Sequence, residues 1–254
     1  MRAPEELRAL VEATLADLAL TPELGGLAEP MRYALGGKRV RPIICLATAE
    51  AAGGTAEQAL PAAVAIELVH SFSLVHDDLP AIDDDDERRG LPTLHVAYGE
   101  GVALLAGDAL LTEAFRLALS YPTSAAAREL VAATLGMIGG QYLDITGGDA
   151  DLAELHRLKT GRLFAASVGL GLCAAGVPDE RQRPWRAFGE ELGLLFQIVD
   201  DVLDGDGYAA KMGECAAREL ADEAAVRARE ALDSIPADTS VLSAIVDELA
   251  VRTA

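Results

Sequence analysis

The stretch HSFSLVHDDLPAIDDDDERRGLPTLH, residues 70–95, decides how this chain is read. It opens as the end of a mostly apolar helix and finishes in six aspartates, Asp77, Asp78 and Asp83 to Asp86, split by Leu79 to Ile82. Folding requires nothing of the kind, because six like charges this close repel one another unless cations neutralise them. Carboxylate oxygens are the hard ligands that Mg2+ prefers. An arbitrary acidic run is also compatible with a solvated loop. A second segment, FQIVDDVLD from Phe196 to Asp204, shifts the balance towards metal binding. Asp200 and Asp204 share one face of a helix, where unpaired acids at that spacing are destabilising. Two acidic helix ends, each preceded by apolar residues, suit a cavity whose mouth holds an anion through metal ions. A calcium loop is the rival reading of LDGDGY. Aligning Asp204, Asp206 and Gly207 with an EF-hand loop leaves Val202 and Gly213 at the two ends, where acids are required, so that reading fails.

Working outward, the whole chain of 254 residues is 51% hydrophobic but only 4% aromatic, its apolar content dominated by Ala and Leu, which favour helices over strands. Twenty-one basic against 41 acidic side chains give a net charge of -20, which repels nucleic acid and anionic membrane surfaces. An anionic small molecule can still be bound where metal ions and a few placed cations reverse the local field. Cys45, Cys173 and Cys215 are odd in number and widely spaced, and read as small core residues rather than ligands or disulfides. The first residues carry no signal-type apolar block. The longest uncharged stretch, Leu163 to Pro178, falls short of the roughly 20 residues that span a bilayer. A cytoplasmic protein without a membrane span is expected.

Leu7, Leu10, Val11 and Leu18 recur at helical spacing, and Pro22, Gly25 and Gly26 then stop the first helix. Further breaks fall at Gly36 and Gly37, Gly53 and Gly54, Gly90 to Pro92, Tyr121 and Pro122, Gly147 and Gly148, Gly176 to Pro178, and Gly205 to Gly207. Between them lie Ala- and Leu-rich stretches of helix length, with no alternating β-branched strands and no linker. The expectation is one all-α domain over residues 1–254, a bundle of many helices. Several of them are apolar enough to be surrounded by others or buried between subunits.

The motifs GGKRVRP (Gly36 to Pro42), DDLPAIDDDDERRG (Asp77 to Gly90), GDALL (Gly107 to Leu111), GGQYLD (Gly139 to Asp144), KTG (Lys159 to Gly161) and FQIVDDVLD occur in this order. Together they resemble the trans-prenyltransferases of the polyprenyl diphosphate synthase family, most closely the bacterial farnesyl and geranylgeranyl diphosphate synthases. The resemblance implies a helical bundle around a central cavity, Mg2+ as cofactor and a homodimer. It also implies a short-chain synthase that condenses isopentenyl diphosphate with an allylic diphosphate, farnesyl diphosphate synthase first and geranylgeranyl next. By the same resemblance Asp77, Asp83, Asp200 and Asp204 hold metal; Arg88, Lys159, Thr160 and Gln197 surround the allylic diphosphate; Lys38, Arg41, His70 and Arg89 hold isopentenyl diphosphate; and Phe72 with Ser73 sets chain length. The catalytic set is then Asp77, Asp83, Arg88, Lys159, Thr160, Gln197 and Asp200.

Residue by residue, plainer readings stand beside these. Arg41, Arg88 and Arg89 could simply balance nearby acids. His70 lies seven residues before Asp77 and so on its helix face, which favours a substrate-facing role over a core histidine. His76 and His95 are weaker candidates, and Trp185 reads as packing. In a continuous helix Asp84 rather than Asp83 would return to the face of Asp77, but Pro80 disfavours continuity and the segment should bulge before its second ligand. After Asp204 the family's longer, lysine-bearing loop is missing; by the resemblance Tyr208 corresponds to the family tyrosine with no lysine before it, and Lys211 cannot be carried over as that lysine. That leaves a diphosphate-binding, catalytically weak partner subunit as the alternative. A cyclising synthase fits less well, since GGKRVRP and the Arg88, Arg89 pair provide for a second diphosphate.

Overall fold

The computed structural model describes residues 1–147 and 151–251, and these are almost wholly helical, as expected. Gly148, half of one predicted break, lies outside them. In chain order the helices are α1 (Pro4–Ala16), α2 (Ala28–Tyr33), α3 (Val40–Ala51), α4 (Ala56–Asp77), α5 (Leu94–Tyr98), α6 (Glu100–Ala118), α7 (Ala125–Thr146), α8 (Leu152–His156), α9 (Arg162–Ala174), α10 (Arg183–Asp204), α11 (Gly207–Met212), α12 (Glu214–Asp233) and α13 (Ser240–Val251).

The helix α4 organises the rest. Thr55 starts it with a capping box, its hydroxyl accepting from Gln58 N while the Gln58 side chain accepts from Thr55 N. Apolar residues surround its circumference, and such a helix is stable only when enclosed. It packs against α3, α6 and α9, burying Ala63, Ile66, Val69 and Phe72 among others. By length and composition α4 could cross a membrane, but 67% of its most apolar window is buried inside the protein. Pro61 interrupts its hydrogen-bond ladder, and the Tyr121 hydroxyl enters the gap, accepting from Ala62 N at 3.2 Å and donating to Gln58 O at 2.8 Å. On the other side, α10 is clasped between α9 and α12. Trp185 is buried in its first turn, which fits the packing reading.

One expectation needs correction, and one small feature has no sequence signature. The region after the first aspartate motif contains a two-residue hairpin, β1 (Glu87–Arg88) and β2 (Leu91–Pro92), pairing Glu87 with Pro92 and Arg88 with Leu91. Arg89 and Gly90 both have positive φ, 57° and 78°, as a type I′ turn requires. Strands this short write no alternating pattern into a sequence. Among the cysteines, Cys45 is buried and Cys173 half-buried, but Cys215 is exposed. It stands on α12, whose buried face is formed instead by Ala217, Ala221, Ala224 and Ala228.

Replacing Tyr121 by Phe removes the group that closes the Pro61 gap and leaves Ala62 N–H without its partner. We expect a loss of about 1 kcal/mol in urea unfolding with an unchanged dependence on denaturant. A fully wild-type midpoint would mean that the hydroxyl contributes nothing there.

Candidate active site

The first aspartate motif takes its shape from the end of α4. The helix stops at Asp77, and the chain then turns through Pro80 and folds back, so that Asp83 N donates to Asp77 O at 2.9 Å and Asp84 N to Leu79 O at 3.2 Å. This is the bulge that Pro80 predicts, and it returns Asp83 to the neighbourhood of Asp77. Burial, opposed by Lys159 and reinforced by the charges of Asp83 and Asp78, pushes the Asp77 carboxyl up to about 6. Asp83 is raised too, by burial first and then by Asp85 and Asp144 against the pull of Lys159.

Beneath this motif lie two cavities of different character. One, of about 510 Å³, runs from Asp77, Lys159 and Thr160 down to Phe72, Leu111 and Met137, and Ser73 also faces it. The other, of about 340 Å³, is bordered by Lys38, Arg39, Arg41 and Arg89, with Glu67 and Asp200 opposite. Arg41, His70 and Thr160 line both, so the two cavities share a wall. In a chain of net charge -20, the second cavity is a local inversion of sign. Burial lowers Arg41 to about 10, which still leaves it charged at neutral pH. Its guanidinium lies 4.4 Å from the Phe164 ring centroid and 5.9 Å from that of Phe196, a cation–π seat that fixes its direction. Its buried Nε has no hydrogen-bond partner among the described residues. His70 is driven well below its usual range by burial and then by Arg41 and Arg89. It is therefore neutral near pH 7 and adds a hydrogen-bonding group without adding charge.

Lys159 and Thr160 stand on one wide π-helical turn, Arg157–Gly161, between α8 and α9; such turns recur at functional sites. The turn lies so close to α7 that a Cβ at Gly140 would come within 2.5 Å of Lys159 N, so only glycine allows the approach. Lys159 Nζ is held by Asp144 Oδ2 at 2.5 Å. Asp144 and Gln141 carry no assigned role in the sequence reading. Gln141 lines the larger cavity with both side-chain polar atoms buried and without a hydrogen-bond partner among the described residues. The available signal was their i, i+3 spacing within GGQYLD, which puts both on one helix face.

Other expected residues lie further out. The type I′ turn separates Arg88 from Arg89: Arg88 Nε donates to Asp78 Oδ1 at 2.7 Å and its Nη2 reaches both Asp78 and Asp85, while Arg89 enters the basic cavity. Gln197 Nε2 donates to Asp201 Oδ1 at 2.6 Å, and its side chain lines a separate cavity of about 320 Å³ beside His156 and Tyr208. Asp204 is exposed at the end of α10. His76 joins Phe72 in lining the larger cavity, which raises it above the weak standing its sequence context gave.

The donor set fits a hard cation. Among the described residues, no three carboxylate, imidazole or thiol groups already converge as a metal cage. Mg2+ is usually held by one or two carboxylates, waters and substrate phosphates rather than by an all-protein cage. The raised Asp77 and Asp83 are crowded carboxylates with too little positive charge near them, which is the condition a cation relieves.

Known proteins resemble this chain over most of its length. The sequence model of the polyprenyl synthetase family matches residues 25–247. A geranylgeranyl diphosphate synthase of Cyanophora paradoxa is 40% identical over 232 residues, covering 85% of this chain and 77% of that protein. A farnesyl diphosphate synthase of Bacillus subtilis is 42% identical over 205 residues, 74% of this chain and 69% of that one. The chain spans 57% of a heterodimeric geranylgeranyl pyrophosphate synthase large subunit of Arabidopsis thaliana, at 43% identity. Among solved structures, a geranyltranstransferase from Thermotoga maritima superposes with a TM-score of 0.86 at 30% identity, covering 98% of both chains.

Asp77 gives a pH test without any ligand. Its folded value of about 6 lies above the ordinary carboxyl value near 4, so the native state holds the extra proton and stability falls as pH rises through that window. The penalty is complete above pH 6. Asp77→Asn should therefore melt higher than wild type at pH 8 without metal, by at most about 3 kcal/mol, with the gap narrowing towards pH 5. A constant gap across that range would contradict the assignment.

Proposed function

The chain belongs to the polyprenyl synthetase family, and we propose that it is a short-chain trans-prenyltransferase that condenses isopentenyl diphosphate with an allylic diphosphate. The observation that carries this reading is the pair of cavities with a common wall. An apolar one opens at Asp77 and Lys159, and a basic one collects Lys38, Arg41, His70 and Arg89.

The allylic substrate takes the larger cavity, its diphosphate towards Asp77, Lys159 and Thr160 and its tail towards Phe72. Isopentenyl diphosphate takes the basic cavity, where Lys38, Arg41 and Arg89 supply charge-assisted hydrogen bonds. The shared wall of Arg41, His70 and Thr160 then sets the double bond of one substrate beside the reacting carbon of the other. The allylic C–O bond breaks with its electron pair leaving on the diphosphate, the double bond attacks the resulting carbocation, and a C–H bond beside the new cationic centre then breaks, its electron pair forming the product double bond and its proton passing to an oxygen of the released diphosphate. Asp77 and Asp83 from one motif, and Asp200 and Asp204 from the other, would hold Mg2+. When bound, Mg2+ supplies Lewis-acid stabilisation of the charge that develops on the leaving group. Arg88 and Gln197 belong to this reading as groups that turn towards the diphosphate from their present partners, Asp78 and Asp201. Phe72, buried beneath Asp77 on α4, is the floor that limits the tail, with the small Ser73 beside it. Farnesyl diphosphate is the favoured product and geranylgeranyl the next.

The same reading takes residues 1–254 as one synthase unit, supported by a core that is continuous from Leu7 to Leu249. It takes the protein as cytoplasmic, supported by the enclosure of α4. It also takes the protein as a homodimer: Val131, Leu135, Ile138, Tyr142 and Ile145 form an exposed apolar stripe along α7, beside Leu104 and Leu105 of α6.

Purified protein given isopentenyl diphosphate, an allylic starter and Mg2+ should release diphosphate and an elongated product. Chelator or Asp200→Ala should abolish it. Turnover that persists with chelator would defeat the metal-assisted reading. Lys38→Ala or Arg89→Ala should raise KM for isopentenyl diphosphate roughly tenfold to a hundredfold, the effect of losing charge-assisted bonds worth about 1.5 to 3 kcal/mol. Wild-type kinetics in both variants would place that substrate elsewhere.

A further inference from the structure

Phe72 and His76 stand one turn apart on α4, on the same face, and both line the larger cavity. Their rings meet edge to face, centroids 4.8 Å apart at 72°, the geometry aromatic pairs prefer. His76 is in turn fixed from outside the helix. Its Nε2 donates to Leu104 O of α6 at 3.1 Å, and Asp108 Oδ1 stands 4.0 Å from the same nitrogen. A Cβ at Gly107 would lie 2.2 Å from Nε2 and 2.4 Å from Cδ2, so the imidazole occupies the space that the glycine leaves open. The GDALL segment thus makes a seat for this ring.

We propose that His76 is a positioning residue for product length: seated on Gly107 and Leu104 O, it braces the Phe72 ring and thereby fixes the depth of the tail cavity. The inference rests on the prenyl-elongation reading and deepens it. A single aromatic floor can rotate about χ1 and χ2 when a growing tail presses on it. A floor whose edge is packed against a second, hydrogen-bonded ring has to displace both. The seat also gives the device a direction. Emptying it frees Phe72 to swing away and lengthens the cavity; filling it pushes the imidazole towards Phe72 and shortens the cavity.

The test is the product distribution of the full chain with Mg2+, isopentenyl diphosphate and an allylic starter, for wild type, Phe72→Ala, His76→Ala, Gly107→Ala and Phe72→Ala/His76→Ala, each checked by thermal melting. His76→Ala should lengthen the main product by one isoprene unit, and Gly107→Ala should shorten it by one. The double variant should match Phe72→Ala alone, because His76 acts through that ring. If His76→Ala does not fold, His76→Gln, which keeps a donor for Leu104 O but no ring, should give the same lengthening. Wild-type products from the His76 and Gly107 variants, with longer ones from Phe72→Ala, would overturn the brace while leaving the floor intact. Wild-type products from Phe72→Ala would overturn floor and brace together, and absence of elongation by the wild type would overturn the enzymatic reading with them.

Discussion

A buried guanidinium ties the acidic and basic halves of the site together. Arg39 takes a left-handed backbone, φ 58°, at the start of α3 and turns its side chain inward. There it meets Glu67 of α4 at 2.7 Å and Glu12 of α1 at 2.8 Å, and donates to the carbonyls of Leu35 and Gly36. Glu67 is itself buried. Breaking such a pair strands a buried charge at a cost of several kcal/mol, so Lys38 and the first turn of α3, which carries Arg41, cannot drift from α4 without paying that penalty. The same helix ends in Asp77. The spacing between the basic cavity and the acidic motif is thus fixed by one arginine that borders the cavity without needing any ligand of its own.

That anchorage matters because several of the site's charges are unfavourably placed in the absence of substrate. Asp77 and Asp83 are held where burial and neighbouring carboxylates raise them, while Arg41 and Arg89 are held where burial lowers them. Each set carries a field that an ion of opposite sign relieves. The two sets remain apart because α4 is rigid and enclosed, so they do not cancel one another by collapsing into ion pairs. Lys159 is the partial exception. It spans towards the acidic side and is held there by Asp144. His70, neutral between the arginines, lets the shared wall stay polar without adding to their mutual repulsion.

Much of this was legible in the sequence because the signals were local. The helix-length apolar runs and their Gly and Pro breaks give the all-α architecture, and Pro80 predicts a bulge after Asp77, while the choice of Asp83 over Asp84 comes from the family resemblance. Lys38, Arg41, His70 and Arg89, grouped in the sequence only by the family resemblance, line one cavity, and only the structure shows that Arg41 is seated on two phenyl rings. What escaped was non-local or too short to leave a pattern. The resemblance assigns Arg88 and Arg89 to different substrates, but the type I′ turn that parts their side chains leaves no pattern in the sequence. Arg39 reads as one more cation in GGKRVRP until its contact with Glu67, 28 residues away, is seen. His76 looks like a bystander of the aspartate motif because its seat is built by α6.

The segment after the second motif gives Asp201 a structural task. Asp201 is buried. Its carboxylate accepts from Tyr208 N at 2.8 Å and from Gln197 Nε2, and lies within 3.5 Å of His156 Nδ1, while its carbonyl accepts from Gly205 N and Asp206 N. With so few residues between Asp204 and α11, the chain must turn back at once, and a turn that tight needs an acceptor for the amides it exposes. Asp201 is that acceptor. The same carboxylate also engages Gln197, so the turn and the orientation of Gln197 are coupled: any movement of Gln197 towards Lys159 and Thr160 leaves Asp201 to Tyr208 N and His156 alone. Where a longer loop could move independently of α10, this one is bonded to it and, through the His156 ring that meets the Tyr208 ring edge to face at 5.2 Å, is packed against the end of α8 as well.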